Sequence, residues 1–418
     1  MCTVELAGFG GVRQGSRRAL TARGASRTTR LVSNVIVPSR WPFPRHGPAY
    51  DRPEPTESQG GLRHRRDAPR GERCWDEVAG MRLPSPLLAL LLFCLIPACL
   101  SSGDQVLDLW IEMKSSPQLS VRILTHNIRY ATSSPFQGER PWADRRQLLL
   151  NELLFNTRHN QEAFICLQEV LHVQLVDILS GLNNASATAA SNSSEWAYIG
   201  VGRDDGHEAG EYSPIFYRPA VWQLVRWETV WLSETPTKPS KGWDAASIRI
   251  VTIGVFRHHA SRKTILALNT HLDDQGSRSR FEAARIILGK IDEYLTGEDG
   301  QSISGVFLSG DLNSEETQEA YKTLTAPTSP LVDVQKLVDP ALRYGNEHTF
   351  TGFGYEGVRP TRIDYILLGP ASQNEAQGQN HTRSLPWMTQ GYAVLANRFD
   401  DGVFNSDHRA VVADVALA

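Results

Sequence analysis

Beyond residue 103 the sequence contains a single cysteine, Cys166, because Cys2, Cys74, Cys94 and Cys99 all precede it. An internal disulfide is therefore excluded there, and stability must come from a buried core. Missing spacings exclude several common chemistries. The chain has no Cys-x-x-Cys and no His-Glu-x-x-His for zinc, no Gly-x-Ser-x-Gly nucleophile turn, no P-loop, and no Gly-x-Gly-x-x-Gly after a strand. It also lacks an apolar run near the roughly 20 residues that a membrane helix needs. Positive charge is scarce as well. Residues 104–418 hold 28 Lys and Arg against 38 Asp and Glu, within a whole-chain charge of −3. Affinity for nucleic acid comes mostly from neutralised phosphates, so stable binding of duplex DNA is not expected. An acidic, metal-binding cleft is still allowed.

The first hundred residues differ in composition from the rest. Residues 1–80 are rich in Arg, Gly and Pro, as in "RQGSRRALTARGASRTTR", with no period long enough to bury a core. They are expected to be disordered, or an upstream extension outside the working protein with Met81 as its start. Residues 81–103 place one arginine before the apolar run Leu87 to Ile96 and small residues after it, the pattern of a secretory signal peptide. An internal anchor or a buried helix is the competing reading. Secretion fits three N-glycosylation sequons, at Asn184, Asn192 and Asn380, expected in exposed loops. Residues 104–418 suffice for one large domain, and a monomer is the expectation.

Within that domain, strand-like runs alternate with helical ones. "VRILTHNIRY" and "AFICLQEV" predict buried strands, each followed by a helix, "DRRQLLLNELLFNTRH" and "VQLVDILSGL". "WAYIGVG", "SPIFYR" and "WQLVRWETVWLS" predict closely spaced strands in antiparallel hairpins, and "IRIVTIGVFRHH" with "KTILALNTHL" another pair. "SRFEAARIILGKIDEYL" predicts a helix with Phe281, Ala284, Leu288, Ile291 and Leu295 on one face. "GVFLSGDLN", the helical "EETQEAYKTL" and three late strands, "TRIDYILLG", "GYAVLAN" and "HRAVVADVAL", complete the chain. The mixture favours sheets covered by helices over a simple doubly wound sheet.

Polar residues gather where these runs end. Asn127 follows "ILTH", Glu169 follows "CLQ", His271 and Asp273 follow "ALNT", Asp311 and Asn313 follow "FLSG", Asp364 lies in "RIDYILL", and Asp407-His408 precede the last strand. Side chains alternate along a strand, so Asp311 and Asn313 point the same way from its C-terminal end, where open α/β sheets place their sites. Taken alone, that stretch also reads as a turn and helix cap. Hard oxygen ligands such as Glu169, Asp311 and Asp407, with the Asn127 amide, suit Mg²⁺ or Mn²⁺ and a phosphate substrate. Imidazoles beside carboxylates, His271 and His408, can hold a proton or donate to a phosphorane oxygen.

In order, "THNIR", "LQEV", "GEYSPIFYR", "LNTHLDD", "SGDLN", "RIDYIL" and "NSDHRAV" resemble the motifs of the endonuclease/exonuclease/phosphatase superfamily, over roughly residues 120–418. The resemblance implies a DNase I-like fold, a four-layered α/β sandwich of two mixed β-sheets flanked by helices. It implies that Asn127 and Glu169 form a metal-side pair with Asp407 as a second metal-side carboxylate. Glu211 would orient His271, and Asp364 would orient His408. Asp311 and Asn313 would align the attacking water and hold the scissile phosphate, with His408 as acid/base or transition-state stabiliser. Arg129 departs from the abasic-site endonucleases, which carry an acid there, and the nucleases' phosphate-gripping arginines and DNA-inserting loops are not recognisable. "GVGRDDGHEAGEYSPIFYR", "WLSETP" and "GWDAASIRIV" are similar to a secreted subgroup, with Asp204, Trp243, Asp244, Arg249 and Asp273 as an expected substrate rim. The implied activity is that of a secreted, Mg²⁺- or Mn²⁺-dependent phosphoesterase that hydrolyses a phosphodiester or phosphomonoester by in-line attack of water. A secreted nuclease and a non-catalytic binding protein on the same fold are the alternatives.

Overall fold

Strand parity sorts the core. In β1 (Leu119–Asn127), Leu119, Val121 and Ile123 enter one apolar cluster and Leu124 another. In β2 (Phe164–Gln168), Phe164 and Cys166 join the first cluster, while Ile165 and Leu167 join the second. Both faces of these strands are therefore buried, which is why their sequences read as continuous apolar runs.

The computed structural model describes residues 118–186, 194–298, 300–373 and 383–418. The Arg-rich segment, the proposed signal peptide and the sequons at Asn192 and Asn380 lie outside them. After β1 come α1 (Trp142–Thr157), β2, α2 (His172–Ser186), β3 (Ala197–Ile199), β4 (Ile215–Tyr217), β5 (Trp222–Trp231), β6 (Ile250–His258), β7 (Thr264–His271), α3 (Ser277–Thr296) and β8 (Ile303–Asp311). Then follow α4 (Glu319–Leu324), β9 (Val332–Asp333), α5 (Val334–Leu337), β10 (Arg343–Gly345), β11 (Asp364–Gly369), the ribbon β12 (Ser372–Gln373) and β13 (Arg383–Ser384), β14 (Trp387–Val394) and β15 (Val411–Leu417).

One sheet has the order β10-β14-β15-β1-β2-β4-β3 and the other β5-β6-β7-β8-β11-β9. Both are mixed: β1 runs parallel to β2 and antiparallel to β15, and β7 runs parallel to β8 while β8 is antiparallel to β11. Inner-face residues of both sheets, including Ile123, Phe164, Phe256, Phe307, Ile366 and Val411, make the central core. Helices α1 and α2 cover the first sheet through Leu149, Leu153 and Ile178, and α3 and α4 cover the second through Ala284, Ile287 and Leu324. The result is the expected DNase I-like, four-layered α/β sandwich. Among the described residues, no helix is long and apolar enough to cross a membrane.

Several local expectations shift. Strands β4 and β5 belong to different sheets, so "SPIFYR" pairs with "WAYIGVG" but not with the strand that follows it. Asn184 lies in the last turn of α2, not in a loop. The expected helix "EETQEAYKTL" shortens to Glu319–Leu324, because Gln318 folds back to accept from the Glu315 amide. Helix α3 is rotated from its expected face: Ala283, Ala284, Ile287, Ile291 and Tyr294 are buried, and Phe281 is exposed. Buried Arg280, bonded to Glu319 and to the Asp273 carbonyl, sets that rotation.

Strand β8 passes Thr270 of β7 at Gly310, whose φ is +142° and where a Cβ would lie 2.0 Å from the Thr270 carbonyl oxygen. Only glycine fits that backbone next to Asp311. Gly310→Ala is expected to destabilise the protein by about 1–3 kcal/mol or more, read as a lowered denaturation midpoint. An unchanged midpoint would show that the strands can separate at no cost.

Candidate active site

The parity that fills the core continues to the strand ends, where inward positions change from apolar to polar. On β1 the series Val121, Ile123, Thr125 ends at Asn127, and on β2 Phe164 and Cys166 lead to Gln168. In the other sheet, Ile265 and Ala267 lead to Asn269 and His271, Phe307 leads to Asp311, and β11 begins with Asp364. The ladder register places His271 opposite Asp311 and Asp311 opposite Asp364 on three adjacent strands. The remaining groups come from the turns just past the strands. Glu169 (φ +59°) and Asn313 (φ +43°) both hold left-handed backbone, a conformation that costs energy and concentrates at functional sites.

Asp311 is the point where the two sheets meet. Its Oδ2 accepts from Asn127 Nδ2 at 3.0 Å, and the same Nδ2 donates to Glu169 Oε1 at 3.0 Å. The other carboxylate oxygen of Asp311 accepts from the Asn313 backbone N–H at 2.8 Å, so this stretch is at once a turn and part of the site. Asp311 Oδ2 lies 3.6 Å from His271 Nε2 and 3.7 Å from His408 Nε2. Asn313 Nδ2 reaches His271 Nε2 at 3.1 Å and donates to the Leu272 carbonyl at 3.0 Å. His408 Nδ1 is bonded to Asp364 Oδ2 at 2.9 Å. Glu211, by contrast, accepts from Arg203 at 2.7 Å and stands 3.7 Å from His271 Nδ1, which has no hydrogen bond. It faces the imidazole without holding it.

Burial and neighbouring charge set the protonation of these groups. Against the cost of burial, Asp364 and Asp311 push His408 up to about 10, so it is cationic at neutral pH and acts as a donor. Burial and the Asp364 charge raise Asp311. Burial, with Glu169 adding and His408 opposing, pushes Asp407 up to about 6. Glu169 is held down to about 2 against the cost of burial, by His271, the Asn127 amide and Arg129.

Acids that repel one another across one cavity are the donor set that a hard divalent cation relieves, so the residues fit such a cation. Asp311, Asp364 and His408 offer ligand atoms all within 4.8 Å of one another, but the Asp364–His408 bond already occupies two of these groups. Glu169 and Asp407 also line the cleft and are not taken up by that bond. Asn127 Oδ1 accepts from the Arg129 N–H at 3.0 Å, so this amide anchors Glu169 and presents its nitrogen, not its oxygen, to the acids.

The cleft has a volume of about 690 Å³, and Glu169, Glu211, His271, Asp311, Asn313, Asp407 and His408 line it. Of the expected rim, only Arg249 does so. Asp273 is 1% exposed and accepts from the backbone N–H groups of Ala246, Ser247, Gln275 and Gly276 and from Arg249 Nε. Asp244 accepts from the Arg278 and Ser279 N–H groups and caps α3, whose own N-cap is glycine. The Trp243 N–H donates to Glu234, and Asp204 lies beside Arg203 at 3.8 Å. Asp273 and Asp244 hold loops in place, and Trp243 and Asp204 are not among the residues that line the cleft. Arg129, Tyr130, Phe136, Arg203, Asp274 and Phe350 line the cleft without having been expected there. Arg129, left-handed at φ +58°, stacks on Tyr130 and Phe136 at 4.1 and 4.6 Å and pairs with Glu139. Its one sequence signal was its departure from the nuclease motif.

The five donors around Asp273, with burial opposing them, hold its carboxyl well below its ordinary range. Its contribution to stability is therefore present above the unfolded value and lost as pH falls through the folded one. Asp273→Asn is expected to cost about 1.5–3 kcal/mol at pH 7, with the gap from wild type narrowing below about pH 4. Denaturant unfolding at the two pH values tests this, and a gap independent of pH would remove the carboxylate as its cause.

No family model matches the sequence. Nocturnin of Drosophila melanogaster is 22% identical over 300 residues, which are 66% of this chain and 42% of that protein, so the chain spans less than half of this curated relative. Among solved structures, a mannosyl-6-phosphatase from Bacteroides thetaiotaomicron is 28% identical with a TM-score of 0.58, over 71% of this chain and 99% of that one. An endonuclease/exonuclease/phosphatase from Bacteroides vulgatus is 30% identical with a TM-score of 0.58, over 72% of this chain and 100% of that one. Identity at that level along the whole of a family member, on a sandwich whose strand ends carry paired acids and imidazoles, means that this chain belongs to the endonuclease/exonuclease/phosphatase family of phosphoric ester hydrolases.

Proposed function

We propose that the protein is a divalent-metal-dependent phosphoesterase that cleaves a small phosphate ester, a phosphomonoester before a diester, by in-line attack of water. The observation that carries this is the position of Asp311, tied to the opposite sheet through Asn127 and flanked by His271 and His408 at 3.6 and 3.7 Å. Glu169 and Asp407 would hold the cation, with Asn127 fixing Glu169; when bound, it neutralises phosphate charge and lowers the pKa of water. Asp311, raised and so more basic than an ordinary carboxylate, takes the proton of the attacking water. Protonated His408, steadied by Asp364, donates to a phosphoryl oxygen as charge builds there. Asn313 and His271 hold the ester from the other side.

The likeness to a mannosyl-6-phosphatase supports the monoester reading. The pairing of the cleft arginines also favours a small substrate over nucleic acid: Arg203 is bound to Glu211, Arg249 to Asp273 and Asp274, and Arg129 to Glu139. Each of these three cations is thus paired with a carboxylate. Secretion belongs to the same proposal and rests on the apolar run Leu87 to Ile96.

The test is turnover of nitrophenyl phosphate, bis-nitrophenyl phosphate and single- and double-stranded nucleic acids with Mg²⁺ or Mn²⁺, with and without chelator. Chelator-sensitive hydrolysis of the monoester is expected, with kcat reduced about 10²- to 10⁴-fold in His408→Ala and in Asp311→Ala. A His408→Ala enzyme within threefold of wild type would remove its assigned role, and preferred cleavage of nucleic acid would overturn the small-substrate reading.

A further inference from the structure

We infer that the cleft wall beyond His271, formed by Ser247, Arg249 and Asp274, is a subsite for neighbouring hydroxyl groups, so that the ester is the phosphate of a small polyhydroxylated skeleton of hexose size. This rests on the phosphoesterase reading and adds the identity of the leaving group. Arg249 is 6% exposed, with Nε bonded to Asp273 at 3.2 Å and Nη2 to Asp274 at 2.8 Å. Its third nitrogen, Nη1, makes no hydrogen bond among the described residues. Asp274 gives one oxygen to Arg249, and its other oxygen receives only a long contact of 3.4 Å from Gln275. Ser247 is pinned by its backbone N–H to Asp273, and its hydroxyl makes no hydrogen bond among the described residues.

A fixed donor, a fixed acceptor and a hydroxyl that can be either therefore stand together on a unit that Asp273 makes rigid. Adjacent hydroxyls on a carbon ring each donate and accept, and this pairing answers both functions at once. A second phosphate would meet the unshared oxygen of Asp274 and the Glu211 carboxylate, which charge repulsion disfavours. Asp274 follows His271 by three residues, so their Cα atoms are at most about 11 Å apart, and both line the same cleft. The volume of about 690 Å³ is in the range of small-ligand sites.

The test compares glucose 6-phosphate and mannose 6-phosphate with ethyl phosphate on the full chain with Mg²⁺ or Mn²⁺. All are alkyl esters of similar leaving-group reactivity, so the ratio of kcat/KM values reports recognition of the ring hydroxyls. Wild type is expected to favour at least one hexose phosphate by about 100-fold. Asp274→Ala is expected to lower that ratio about 10- to 100-fold, mainly through KM, and Asp274→Asn, which keeps an acceptor, to restore part of it. A general structural defect would lower all the esters alike and leave the ratio unchanged. A ratio near one in wild type, or one untouched by Asp274→Ala, overturns the subsite while leaving the phosphoesterase standing. Failure to hydrolyse any ester, nitrophenyl phosphate included, overturns both.

Discussion

A single amide nitrogen, Asn127 Nδ2, joins the two halves of the sandwich where the chemistry is. It donates to Glu169 on its own sheet and to Asp311 on the other, both at 3.0 Å. Both sheets must therefore present their strand ends at one height and in one register. Apolar packing between sheets is nondirectional and would tolerate small slips. Directional bonds to two carboxylates do not. One layer deeper, Gln168 bridges Thr125 and Asn269, and Asn269 donates to the Leu167 and Pro214 carbonyls. These buried bonds continue the same constraint inward, ending the apolar core in a polar layer that the site then uses.

The loop that carries Asp407 and His408 needs its own anchor, and α1 supplies it. Arg145 is fully buried and donates to the carbonyls of Ile128, Arg129 and Asn405, tying the turn after Asn127 to the approach to His408. One turn further along the same side of the helix, Leu149 packs in the core; after another, Glu152 accepts from Asn405 and faces His126, whose other ring nitrogen contacts the His408 carbonyl at 3.2 Å. Buried charges of this kind are expensive unless fully bonded. Here the bonds run to the backbone of both functional turns.

Much of the fold was legible because parity is local. The two-residue period of strands such as "VRILTH" and "FICLQ" fixes which side chains share a face, and the polar endings Asn127, His271, Asp311 and Asp364 inherit that face. What sequence could not give was anything decided after the strand ends. Asp273 and Asp274 are neighbours with the same side chain, yet one is sealed under backbone N–H groups and the other opens to the cleft. Only the path of residues 242–249 across that turn separates them. Asp244 likewise looks like a rim acid until it is seen capping a helix that begins more than thirty residues later. The face of α3 was misjudged for the same reason: Arg280 answers to Glu319 and Asp273, which no helical period contains.

The paired acids violate the rule by which the rest of the sheet is built. Asp311 and Asp364 stand directly opposite each other on antiparallel strands, an arrangement that destabilises a sheet. The left-handed Asn313 adds backbone strain just after the first, and Asp407 is raised by burial a few residues before the last strand. Cationic His408, bonded to Asp364 and 3.7 Å from Asp311, offsets part of this repulsion within the fold. Glu169 and Asp407 also face the cleft, where a divalent cation would bring the compensating charge. Local inconsistency in an otherwise consistent sequence marks the place where folding and function make different demands.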